Sequence, residues 1–99
     1  MADGMKFKNS NLRFVGTKMD VNGNSCYVFK YPNSRAFSIQ SQNLGNVFSG
    51  WGFHLVKRPD QLFDRNYRCT PEDLEAAAIG YITVFGSKKQ KEGLRIYKK

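Results

Sequence analysis

The dipeptide Asn22-Gly23 lies between two runs of alternating apolar and polar residues, Leu12 to Val21 and Ser25 to Tyr31. Asparagine and glycine tolerate the positive φ that a tight turn demands, so this pair between alternating runs predicts an antiparallel hairpin. A two-residue loop would pair Val21 with Asn24, Met19 with Cys26, Thr17 with Val28 and Val15 with Lys30. The other face would then carry Lys18 beside Tyr27, Gly16 beside Phe29 and Phe14 beside Tyr31, with Arg13 and Lys30 pointing away from these aromatics. Only one face of the hairpin can meet a core. If Val15, Met19, Val21, Cys26 and Val28 form it, the aromatic face is free to stack on a ligand; if the aromatics lie under a helix, that platform vanishes.

Pro32-Asn33-Ser34 is turn chemistry, and Arg35 to Ser41 alternates again with Phe37 and Ile39 on one side, which predicts a third strand. Gln42 to Gly52 is dense in Asn, Ser and Gly and reads as a loop or bulge anchored by Leu44, Val47 and Phe48. Trp51 to Val56 reads as a fourth strand, ended by Lys57-Arg58-Pro59-Asp60. Thr70-Pro71-Glu72-Asp73 combines a hydroxyl N-cap, a proline at the first helical position and two early carboxylates, so a helix is expected from Pro71 to about Phe85. Leu74, Ala77, Ala78, Tyr81, Ile82 and Phe85 form its apolar stripe and Gly86 its stop, although the β-branched residues in Tyr81 to Phe85 leave a switch to strand open. Leu94 to Lys98 alternates briefly, as a short edge strand would. The expected fold is α+β: an antiparallel meander of four or five strands with one helix, in the C-terminal half, packed on one face.

At 99 residues and 40% hydrophobic composition, the chain has material for one core, so a single domain over residues 1–99 is expected, with 1–10 flexible and 86–99 a basic tail or edge strand. The longest nearly apolar stretch, Ala76 to Phe85, is about half the roughly 20 residues that a membrane-spanning helix needs. No apolar segment follows Met1 to Lys6, and Met5 is a plausible natural start, so a cytoplasmic protein is expected. Cys26 and Cys69 have neither CxxC spacing nor companion histidines, which predicts reduced structural thiols and neither metal nor cofactor.

Sixteen Lys and Arg against eight Asp and Glu leave a net charge of +8, and a field of that sign attracts polyanions. Residues 88–99 hold Lys88, Lys89, Lys91, Arg95, Lys98 and Lys99 against the single acid Glu92. Such a stretch can neutralise phosphates and release their counterions, with Tyr97 placed to stack on a base; a solvated tail has the same composition. Lys18 and Lys30 with Tyr27, Phe29 and Tyr31 make the second candidate set, on the hairpin. A third cluster, Lys57 and Arg58 with Arg65 and Arg68 around Tyr67, reads as surface arginines, some paired with Asp60 or Asp64. His54 is the only histidine and lies in an apolar segment, so no catalytic site is expected; a metal-independent ribonuclease is the one enzyme class the residues bring to mind.

The expected function is therefore a small nucleic-acid-binding module that prefers single-stranded DNA or RNA. The alternative is a protein-binding adaptor or inhibitor, of the kind mobile elements encode, that docks a basic face and an apolar patch around Trp51 and Phe53 onto an acidic partner surface. A membrane partner is not expected, because no amphipathic helix pairs an apolar face with a lysine-rich one, whereas a sheet edge or the helix stripe leaves a homodimer open.

Overall fold

The computed structural model describes residues 4–47 and 70–97. Four antiparallel strands, β1 (Met5–Lys6), β2 (Arg13–Met19), β3 (Ser25–Lys30) and β4 (Phe37–Gln40), form a meander in the order β1-β2-β3-β4. Among the described residues three helices follow: α1 (Ser41–Val47), α2 (Pro71–Phe85) and α3 (Lys88–Gly93). This is the expected α+β arrangement, with two short helices added. The strand anticipated at Trp51 to Val56 lies outside the described residues.

The hairpin forms, but with a different loop. Gly23 N–H donates to the Asp20 carbonyl (3.0 Å) and Asp20 N–H to the Asn24 carbonyl (2.9 Å), so the loop holds three residues, Val21-Asn22-Gly23. The cause is the Asp20 side chain, whose Oδ1 accepts from the backbone N–H groups of Asn22 and Asn24, both at 2.9 Å. A carboxylate at this place favours a type I turn followed by a left-handed residue, and Gly23 supplies that residue at φ +84°. These contacts, the Asn24 N–H first, hold the Asp20 carboxyl below its ordinary pKa.

The longer loop moves the register by one residue: Thr17 faces Tyr27, Lys18 faces Cys26 and Met19 faces Ser25. An irregularity between Phe14 and Gly16 moves it once more, so that Phe14 faces Phe29 and Arg13 faces Lys30. Gly16 sits at φ +152°, a backbone conformation that side-chain-bearing residues rarely adopt, which fits a bulge here. The expected pairs Lys18–Tyr27 and Gly16–Phe29 are thus corrected, and Lys18 joins the face opposite the aromatics.

The aromatic face is the core. Tyr27 and Phe29 have no exposed surface and Tyr31 retains 6%; they pack with Phe7, Leu12, Ile39 and Leu44 against Leu74, Ala77, Ala78 and Ile82 of α2. The opposite arrangement fails, because Met19 is 67% exposed and Val21 fully so. Of the expected α2 stripe only Phe85 departs: it is 62% exposed, one turn past Ile82.

α2 starts as expected: the Asp73 N–H donates to Thr70 Oγ1 (3.1 Å) while the Thr70 N–H donates to Asp73 Oδ2 (3.0 Å), a reciprocal cap. It ends at Gly86, whose N–H donates to the Ile82 carbonyl. Residues 86–97 are not a free tail. Ser87 and Gln90 form a second reciprocal cap that opens α3, and Tyr31 Oη donates to the Gln90 carbonyl at 2.7 Å. Gly93 lies flat on the Tyr31 ring, where an added Cβ would come within 2.7 Å of Cδ2. Beyond it, Asn11 N–H donates to the Arg95 carbonyl and Tyr97 N–H to the Asn9 carbonyl, and Ser10 bridges Ile96.

Residues 5–10 are tied down as well. β1 pairs Met5 with Phe14 and Lys6 with Arg13, and Ser10 is 2% exposed. Its hydroxyl donates to Glu75 Oε2 at 2.5 Å, while Asn9 N–H donates to the same carboxylate. Glu75, 1% exposed in the first turns of α2, is the hub on which the 9–10 turn, and through it the 95–97 segment, is seated.

Candidate functional site

The outer face of the sheet is set by the register. In neighbouring pairs, Lys6 faces Arg13 and Arg13 faces Lys30, so three cations stand in one row across β1, β2 and β3. Adjacent strands are about 4.8 Å apart, which puts the ends of this row roughly 10 Å from each other at the backbone. Lys18 stands on the same face farther along β2, opposite Cys26. Lys6 and Lys18 are exposed; Arg13 and Lys30 are half-buried.

None of the four strands contains an Asp or Glu. Among the described residues the acids lie elsewhere: Glu72, Asp73 and Glu75 at the start of α2, Glu92 in α3, and Asp20 in the hairpin loop. Asp20 touches the outer face only at the far end from the row, where Gln40 Nε2 donates to its Oδ2 at 3.1 Å. Like charges directly opposite one another across strands destabilise a sheet, so the row is a local concentration of positive charge on strands that carry no acid of their own.

The expected site residues thus separate. Lys18 and Lys30 share the outer face with Lys6 and Arg13, two residues that the periodicity did not single out as ligands. Lys88, Lys89 and Lys91 are exposed on α3. Arg95 is exposed too, but its Nη1 donates to the carbonyls of Glu92 (2.6 Å) and Leu94 (3.0 Å), so it also closes the end of α3. Tyr97 is 55% exposed and keeps a face for stacking. Tyr27, Phe29 and Tyr31 are core residues: their rings pack on Phe14 and Phe37 at centroid separations near 6 Å, where no base can enter. Lys98 and Lys99 lie outside the described residues, as do Trp51, Phe53, His54 and the cluster of Lys57, Arg58, Arg65, Tyr67 and Arg68.

Burial raises the Cys26 thiol above its ordinary pKa, which disfavours the nucleophilic thiolate. Among the described residues no group of His, Cys, Asp and Glu could hold a metal ion, and no helix is long and apolar enough to cross a membrane.

Burial also pushes the Tyr31 phenol up to about 12, from an ordinary value of 10.0. Its neutral form is the one the fold holds, so the stability it contributes is complete below pH 10 and is lost as pH rises through 12. Denaturant midpoints measured at pH 9 and 11.5 are expected to fall less for Tyr31→Phe than for the parent protein. An equal fall in both would contradict this placement.

Comparison of the chain with protein-family profiles, curated proteins and solved structures finds no significant match.

Proposed function

We propose that this protein is a nucleic-acid-binding module that holds single-stranded DNA or RNA by its phosphates along the outer face of the sheet. The observation that carries the reading is the in-register row Lys6–Arg13–Lys30 on strands without a single acid. With the net charge of +8 behind it, this face attracts a polyanion of any sequence. Lys18 and the exposed lysines of α3 extend the set of cations, and Tyr97 offers one stacking surface. The ligand is single-stranded because the described helices offer no recognition element for a duplex groove: α2 turns its apolar stripe to the core and carries Glu72 and Asp73 at its start.

Fluorescence anisotropy with labelled single-stranded DNA, single-stranded RNA and duplex DNA tests this. Binding is expected to be tightest for single strands and to weaken by at least tenfold between about 50 and 200 mM salt, as several phosphate contacts require. Absence of binding at the lowest salt would overturn the reading.

That negative result would favour an acidic protein surface as the partner. One observation points that way: Val84 and Phe85, both 62% exposed, lie just before Lys88 and Lys89, an apolar patch with a basic rim.

A further inference from the structure

At the end of the sheet that carries the cation row, an open cleft of about 400 Å³ lies between the turn into β4 and the start of α3. Its floor is aromatic: Tyr31 and Phe37 pack at a centroid distance of 5.6 Å, and Phe37 is partly exposed. Two exposed cations from separate segments, Arg35 and Lys89, line it, and among the described residues its lining contains no acid. The hydrogen bond from Tyr31 to the Gln90 carbonyl and the seat of Gly93 on the Tyr31 ring hold α3 in place, so the wall that bears Lys89 is built rather than incidental.

The cleft also joins the cation row. Carrying the β3–β4 register one residue beyond Phe29–Phe37 sets Ala36 beside Lys30, and Ala36 lines the cleft next to Arg35.

We propose that this cleft is a mononucleotide site, which takes a flat base against Phe37 and Ala36 and its 5′-phosphate between Arg35 and Lys89. The size suits such a ligand, since small-molecule sites run from about 300 to 1,000 Å³ and combine an apolar lining with a few placed charges. Arginine offers a planar fork for phosphate oxygens and lysine a point charge. A bare phosphate would leave the aromatic floor unused, and an apolar ligand would leave the two cations unused. In the bound single strand, this nucleotide is the one gripped by its base; the inference therefore deepens the proposed function and rests on it for the identity of the ligand.

The test is titration of the ¹⁵N-labelled protein with uridine 5′-monophosphate, followed by backbone amide shifts, with uridine and inorganic phosphate as separate controls. The nucleotide is expected to shift the amides of Arg35, Ala36, Phe37, Ser87 and Lys89 in a saturable way, several-fold more tightly than either control. Arg35→Gln and Lys89→Gln should each weaken that binding several-fold, whereas Lys8→Gln, which removes an exposed cation outside both the row and the cleft, should leave it unchanged. Oligonucleotide binding without saturable shifts at the cleft would overturn this inference and leave the proposed function standing. Saturable nucleotide shifts in a protein that binds no oligonucleotide would support the site and overturn the polynucleotide reading. A response to inorganic phosphate equal to that of the nucleotide would also overturn the inference, since the aromatic floor would then contribute nothing.

Discussion

Phe29→Ala is expected to lower the stability of the fold by about 3–5 kcal/mol, the usual cost of removing a fully buried phenylalanine. The ring is completely enclosed, with Phe14 at a centroid distance of 5.8 Å, Phe37 at 6.3 Å and Phe7 at 6.5 Å. A cavity at the centre of one continuous cluster removes contacts from β2, β4 and the 7–12 segment together, which leaves little to relax into the space. Chemical denaturation followed by tryptophan fluorescence or circular dichroism measures the change. The result also separates two roles for the same residue. A stacking platform would show near-parent stability with weakened nucleic-acid binding, and that pattern would contradict the placement of this face in the core.

Glu75→Ala is the second large effect, expected at about 3 kcal/mol. The carboxylate accepts from the Ser10 hydroxyl and the Asn9 amide, and its loss leaves those donors without their partner in a nearly water-free place. The damage spreads along the chain, because Asn9 and Asn11 in turn hold Tyr97 and Arg95. Faster amide exchange at Tyr97 in the alanine variant, with Glu75→Gln closer to the parent, is the expected signature. Unchanged exchange at the C-terminal segment would show that Glu75 does not seat it.

Much of this architecture is legible in the chain because local signals agree with the global fold. Thr70-Pro71-Glu72-Asp73 predicts α2 to the residue at its start, and Asn22-Gly23 between alternating runs predicts the hairpin. The loop length is not legible from the dipeptide alone. Asp20 competes for the same backbone N–H groups and wins with two hydrogen bonds, which lengthens the loop by one residue and shifts every pair. A one-residue slip moves a side chain to the other face of the sheet, and this is how Lys18 comes to stand with Lys30 rather than with Tyr27.

The candidate site is less legible than the fold for the same reason. The row Lys6–Arg13–Lys30 exists only once β1 has paired and the bulge near Gly16 has reset the register, and both are tertiary outcomes. A two-residue strand such as Met5–Lys6 carries no periodicity to read. The α3 helix did leave a local signature, the Ser87-x-x-Gln90 spacing of a capping box, which the density of lysines around it obscures. Phe37 and Arg35 in the cleft are ordinary strand and turn residues until α3 folds back over Tyr31.

The central claim is that phosphates follow the row across β1, β2 and β3. The most direct measurement compares the salt dependence of single-stranded RNA binding for the parent protein and for Lys6→Gln/Arg13→Gln/Lys30→Gln, after circular dichroism has shown the variant folded. Loss of three phosphate contacts is expected to reduce the slope of log K against log salt by about 2 and to weaken binding at low salt by an order of magnitude or more. A variant that binds with the parent's slope and affinity would contradict the account and move the interface off the sheet.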